Sequence, residues 1–179
     1  MRILASFAAA MLAVSLGSAI PAAMATPAPQ LAAAQTGEEV ADAIKDLYTR
    51  YYAALSATVA TPDAGMPPEF DWKVIADGYF TPELAARFNK ALASSEPVID
   101  WDFLADGQDF GELKVLSATG TETGDEAKVV MKTSNFGKET TTDVMLVRAA
   151  DGWRIKDFLF WAGTSDELAL TSVLKDAGY

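Results

Sequence analysis

From position 36 the apolar residues recur at a helical period. Val40, Ile44, the adjacent Leu47 and Tyr48, Tyr51 and Leu55 recur at spacings of three or four, with Asp42, Lys45, Asp46 and Arg50 between them. That spacing predicts an amphipathic helix running to about Ser56. Thr36 with Glu39 opens it as a capping box, in which each side chain satisfies a backbone donor of the first turn. Pro62, Gly65, Pro67 and Pro68 then predict a loop over 58–70. A short helix is predicted over 71–77, capped by Asp71 and stopped at Gly78. Another starts at Thr81-Pro82-Glu83, with Leu84, Phe88 and Leu92 as its apolar face.

At Leu113 the period changes to two. LKVLSATG, AKVVMKTS, TTTDVMLVR and WRIKDFLFW are rich in Val, Thr and aromatics. Turn residues separate them: Thr123-Gly124-Asp125, Asn135-Phe136-Gly137 and Asp151-Gly152. Thr164 with Glu167 reads as a second capping box, opening a terminal helix that carries Leu168, Leu170, Val173 and Leu174. Helices, then hairpins, then a helix is the order of an α+β domain. The expected architecture is therefore N-terminal helices packed on a curved antiparallel sheet of about four strands, with a C-terminal helix.

The start of the chain follows a different pattern. Met1 and Arg2 precede an apolar run over residues 3–16, and Ala23-Met24-Ala25 places small residues where a signal peptidase cuts. A membrane anchor needs about 20 strongly apolar residues, and this run is shorter and rich in Ala. Residues 1–25 are predicted to be a cleaved signal peptide, with Ala19 as the alternative cleavage position, so a periplasmic location is expected. TPAPQLAAAQ, residues 26–35, is uncharged and predicts a flexible lead-in to a single domain over 36–179.

Composition narrows the chemistry. The formal net charge is −11, and loss of Arg2 with the signal makes the mature chain more acidic still. Such a surface repels nucleic acid and anionic membranes, so neither is an expected partner once the signal is removed. The chain has no His and no Cys. That removes the usual Ser-His-Asp and Cys-His nucleophiles, His- or Cys-bound zinc, His-ligated haem, iron–sulfur clusters and disulfides. No Gly-rich phosphate loop is present, and no cofactor is expected.

The densest polar segment is DWDFLADGQDF, carrying Asp100, Asp102, Asp106, Gln108 and Asp109. Closely spaced hard oxygen ligands suit calcium, but the helix–loop–helix calcium pattern fails at Leu104 and Ala105, where an oxygen ligand and a glycine belong. Alternatively Asp106-Gly107 makes a turn while the other acids cap, bond to backbone or meet a ligand. Trp101, Phe103, Leu104 and Phe110 read as anchors to the core. Tyr48, Tyr51 and Tyr52 form a second candidate group: Tyr48 and Tyr52 could bond a ligand oxygen, whereas helical spacing favours core positions for Tyr48 and Tyr51.

The segments LYTRYY, YFTPELAARF, WDFLADGQDFGELKV and GWRIKDF, in that order, resemble an exported bacterial domain-of-unknown-function family with the nuclear-transport-factor-2-like (cystatin-like) fold. The likeness runs from about Tyr48 to Leu174. That family often carries a proline in the acidic segment, where this chain has Phe103-Leu104. The resemblance implies periplasmic location and a helix-backed curved sheet, and it implies no activity, because the fold hosts many functions.

Three functions are compatible with these residues. The first is an exported binding or accessory module, an inhibitor or immunity-type protein included, whose partner is a protein or a small polar ligand met through Asp100, Asp102, Asp106, Gln108, Asp109, Tyr48 or Tyr52. The second is an enzyme of ketosteroid-isomerase type, using Tyr48 or Tyr52 with Asp102 or Asp143 in an open apolar pocket. The third is a calcium-stabilised structural domain. Pairing of two copies through the open sheet is compatible with the first.

Overall fold

A computed structural model describes residues 28–95, 99 and 101–179; the predicted signal peptide and Asp100 lie outside the described residues. The capping box at Thr36 forms as predicted. The Thr36 hydroxyl accepts from the Glu39 N–H at 3.2 Å, and the Glu39 carboxylate accepts from the Thr36 N–H at 3.1 Å. The helix it opens, α2 (Gly37–Ala60), outruns its predicted end by a turn. Nothing from Ala57 to Ala60 interrupts it, and the first residue unable to donate is Pro62. Asp71 caps α3 (Trp72–Tyr79) by accepting from the Lys73 N–H at 2.9 Å. Thr81 caps α4 (Pro82–Leu92) by accepting from the Leu84 N–H at 3.3 Å.

The meander is β1 (Lys114–Thr123), β2 (Glu126–Asn135), β3 (Lys138–Ala149) and β4 (Gly152–Phe160), each antiparallel to the next. Leu116 in β1 and Lys156 in β4 are skipped by the pairing register, so both strands carry a bulge that bends them. Alternation along the strands turns Val129, Met131, Val144, Leu146, Ile155 and Phe158 inward, where all are buried against the helices. Val130, Met145, Val147 and Leu159 lie on the opposite face and are half-buried. α2 runs over β1 and β2. It comes so close that a Cβ at Gly120 would lie 1.8 Å from the Gly37 carbonyl oxygen. An α+β domain with helices on one face of an antiparallel sheet is thus what the sequence predicted.

Gly78 does not stop α3, which runs through it to Tyr79, and two further elements differ from expectation. The lead-in contains a helix, α1 (Ala28–Ala33), docked on β4. Its alanines favour helix, Leu31 gives it an apolar side chain to bury, and Gly152 leaves room for Ala32, whose Cα would sit 2.4 Å from a Cβ there. The terminal helix begins later than predicted, as α5 (Leu170–Asp176), because Leu168 and Ala169 pair with β4 as a fifth strand, β5. Thr164 and Glu167 make a turn instead of a cap: the Thr164 hydroxyl accepts from Asp166 N–H, and the Glu167 carboxylate from Gly163 N–H. The cap of α5 comes from β4, where the Asp157 carboxylate accepts from the Thr171 N–H at 3.0 Å and from its hydroxyl at 2.5 Å.

Candidate functional site

The acidic segment folds across one end of the sheet, the end at which β2 turns into β3 and β4 finishes. Its first part enters the core. Phe103, Leu104 and Ala105 are buried, and the Phe103 ring stacks on Trp72 at 4.5 Å and meets Phe88, Phe158 and Phe160 edgewise or tilted. Two backbone bonds between Asp102 and Gly107, at 3.0 and 3.2 Å, close the loop on itself.

Asp102 holds this loop from within. Its Oδ1 accepts from the N–H groups of Leu104 (3.1 Å) and Ala105 (3.0 Å), and its Oδ2 accepts from the Tyr51 hydroxyl. Burial raises the Asp102 carboxyl above the usual carboxylate range, against the opposing pull of the Tyr51 and backbone donors. The neighbouring Tyr52 hydroxyl donates to the Leu104 carbonyl at 2.7 Å. Tyr48 is fully buried, its hydroxyl has no partner among the described residues, and its ring meets Tyr52 edgewise at 6.0 Å. All three tyrosine hydroxyls are held above their ordinary pKa, chiefly by burial. All three tyrosines are therefore buried, as helical spacing favoured for Tyr48 and Tyr51, and Tyr51 and Tyr52 are the two whose hydroxyls engage the acidic segment.

The second part of the segment faces outward. Gln108 and Asp109 are exposed, and Asp106 turns back to accept from the Trp161 indole N–H at 3.3 Å. Asn135 ties this part to the sheet: its amide donates to the carbonyl of Asp109 (3.0 Å) and its oxygen accepts from the Gly111 N–H (3.0 Å). Between the segment and the β2–β3 turn lies a cleft of about 320 Å³, lined by Asp106, Gln108, Asp109, Phe136, Lys138 and Thr140 among others. A second cleft of about 290 Å³ also touches Thr140 and is lined by Lys132, Glu139 and Trp161, Lys132 and Glu139 lying on the other face of the sheet from Lys138 and Thr140. We refer to the two together as the rim.

Two other clefts are less suited to a ligand. One of about 440 Å³ lies between α4 and β4, but its charges are committed internally. Asp77 accepts from Asn89 and Lys73, and Arg154 donates to Asp151 and to the Gly78 carbonyl. Another, of about 310 Å³ between α2 and β1, offers Lys45 as its one charged group.

The isomerase-type arrangement lacks what it requires. Asp102 is half-buried and already accepts from three donors, and Asp143 pairs with Lys128 at 3.0 Å on the opposite face of the sheet, away from Tyr48 and Tyr52. Among the described residues no three carboxylates gather to hold a metal ion. Asp102 points to Tyr51 and Asp106 to Trp161, so the segment's acids diverge.

The sequence reading missed Asn135, Phe136, Thr140 and Trp161. One signal was available: Phe136 occupies a two-residue hairpin turn, where positive φ favours Asn, Asp or Gly. No protein-family model matches the chain, and no curated protein matches it. Among solved structures it is similar to a phospholipid-binding protein from Ralstonia solanacearum in complex with a phospholipid, at 19% identity over 80% of this chain and 85% of that one. The TM-score is 0.40, too low to equate the two folds or to transfer a ligand.

Proposed function

We propose that the chain is an exported, non-catalytic binding module that meets a small polar ligand or a segment of a partner protein, an inhibitor's target included, at the rim. One observation carries this reading. Asp106, Phe136 and Trp161 are the non-glycine residues with positive φ among those described, each at 51°, and all three flank the rim clefts. A left-handed conformation costs an L-residue roughly 1–2 kcal/mol, and such costs gather where a surface is shaped for recognition. Export rests on the N-terminal pattern of residues 1–25 and places the module in the periplasm.

Fractionation of a Gram-negative host expressing the full chain tests the address: a periplasmic product beginning at Thr26 is expected, and an uncut cytosolic product refutes export. Retention of a component from periplasmic extract tests the rim. It should be held by the native protein and lost from a Phe136→Asn/Asp109→Asn double variant. Equal retention by both moves the site elsewhere.

A second reading concerns self-association. Half-buried Val130, Met145, Val147 and Leu159 share the uncovered sheet face with the ion pairs Lys128–Asp143 and Lys156–Glu126. Apolar residues between paired charges favour a second copy of the same face. Sedimentation equilibrium should give a dimer, and a monomer at every concentration removes the idea.

A further inference from the structure

The rim carries more than a location; its lining has a specific chemistry. Phe136 is 67% exposed although it sits in a turn that Asn would fill without strain. Its ring is nevertheless held in place, because it lies over Gly111, where a Cβ would come within 2.4 Å of it. Gly111 is in turn fixed by its N–H bond to Asn135. The result is an exposed aromatic surface that does not have to be ordered when a ligand arrives.

The polar groups beside it alternate in sign. Asp106, Asp109 and Lys138 line the first cleft together with Thr140, whose hydroxyl bonds to that of Thr133, and Glu139 and Lys132 line the second. The first cleft sets Asp106 and Asp109 against Lys138, with Asp106 already taken by the Trp161 indole, and the second pairs one acid with one lysine. A chain of net charge −11 also does not attract anions, while the two lysines oppose a cationic peptide. Donors and acceptors in alternation around a fixed aromatic fit a neutral ligand with one apolar face and many hydroxyls. The first cleft lies just above and the second just below the lower end of volumes that hold small molecules, about 300–1,000 Å³.

We propose that the rim binds a neutral saccharide, one pyranose face laid on Phe136 and its hydroxyls shared among Asp109, Lys138 and Thr140, with the chain continuing toward Trp161. The proposal rests on the rim being the binding site, and the experiment separates the two. Amide resonances of the isotope-labelled full chain are followed during titration with cellotetraose, maltotetraose and the tetramer of N-acetylglucosamine. Each is taken to about 10 mM, where even millimolar affinity saturates. Parallel titrations use an oligogalacturonate and an arginine-rich peptide.

At least one neutral sugar should shift amides 107–109 and 135–140, and Phe136→Asn should weaken that binding about tenfold or more while leaving the turn formed. Unchanged affinity in Phe136→Asn overturns the stacking geometry. No response to any neutral sugar overturns the saccharide proposal. In that case, shifts of the same amides by the peptide or the uronate keep the rim as a binding site for a charged ligand. Shifts confined to other residues refute the rim itself.

Discussion

Asp102 and Asp109 belong to one short acidic loop, and the protein uses them in opposite ways. Asp102 lies inside, accepts from Tyr51, Leu104 and Ala105, and anchors Phe103 among aromatic rings. Asp109 lies outside on the rim, exposed beside Phe136 and Lys138. Residue type is the same and charge is the same; burial separates them. A buried carboxylate must have its acceptors used, since leaving it or its donors unpaired is expensive. An exposed one can be spared for a ligand. Under the proposed reading, structural and recognition roles divide within a single segment at the Asp106-Gly107 turn.

The largest test of this division is Phe103→Ala, which removes the plug from the aromatic cluster. Truncating a buried Phe costs about 3–5 kcal/mol, and chemical denaturation should show a loss of that order. Asp102→Ala comes next. It leaves the Tyr51 hydroxyl and the Leu104 and Ala105 N–H groups without an acceptor, at about 3 kcal/mol, whereas a purely surface role for Asp102 would cost next to nothing.

Asp102→Asn separates charge from hydrogen bonding. Burial raises the folded-state pKa of Asp102 above its unfolded value near 3.8, so the folded state binds this proton more tightly. The resulting stability is fully present below the unfolded value and is lost as pH rises through the folded one. The difference in melting temperature between Asp102→Asn and the native protein should therefore move in favour of the variant across that rise. A difference that does not change with pH would mean the carboxylate is solvated.

Smaller effects are expected on the rim. Phe136→Asn puts a residue that tolerates positive φ into the turn, and should stabilise the fold by about 1 kcal/mol while weakening ligand binding. Destabilisation would mean that the ring's contact with Gly111 outweighs the backbone strain. Asp109→Asn should shift stability by no more than about 0.5 kcal/mol, as at other exposed positions. A larger loss would place Asp109 with Asp102 among the structural acids.

Much of the fold was legible in the sequence because its signals act over one turn or one pair of residues. The Thr36–Glu39 box, the Asp71 and Thr81 caps and the turns at Gly124-Asp125 and Phe136-Gly137 each involve neighbours along the chain, and each formed. The third turn lies one residue earlier than predicted, at Ala150-Asp151, with Gly152 already paired in β4. The Thr164–Glu167 pattern failed for the complementary reason. It had the right local spacing, but Leu168 was taken by β4 and Asp157 supplied the cap from a distant strand. The candidate site was legible only as a segment. Asp106, Gln108 and Asp109 were identified, but their companions Phe136, Thr140 and Trp161 come from other elements.

The sequence by itself determined where α2, α3 and α4 begin, the order of the hairpins, the class of the fold and the chemistries closed to a chain without His or Cys. Only the tertiary structure decided which acid of the loop is buried and which is free. Tyr51 and Asp102, or Asp106 and Trp161, are separated by more than fifty residues and meet through the packing of α2 and β4 around the loop. Carboxylates of one loop look alike in sequence; the dielectric and the donors around each exist only after the chain has folded.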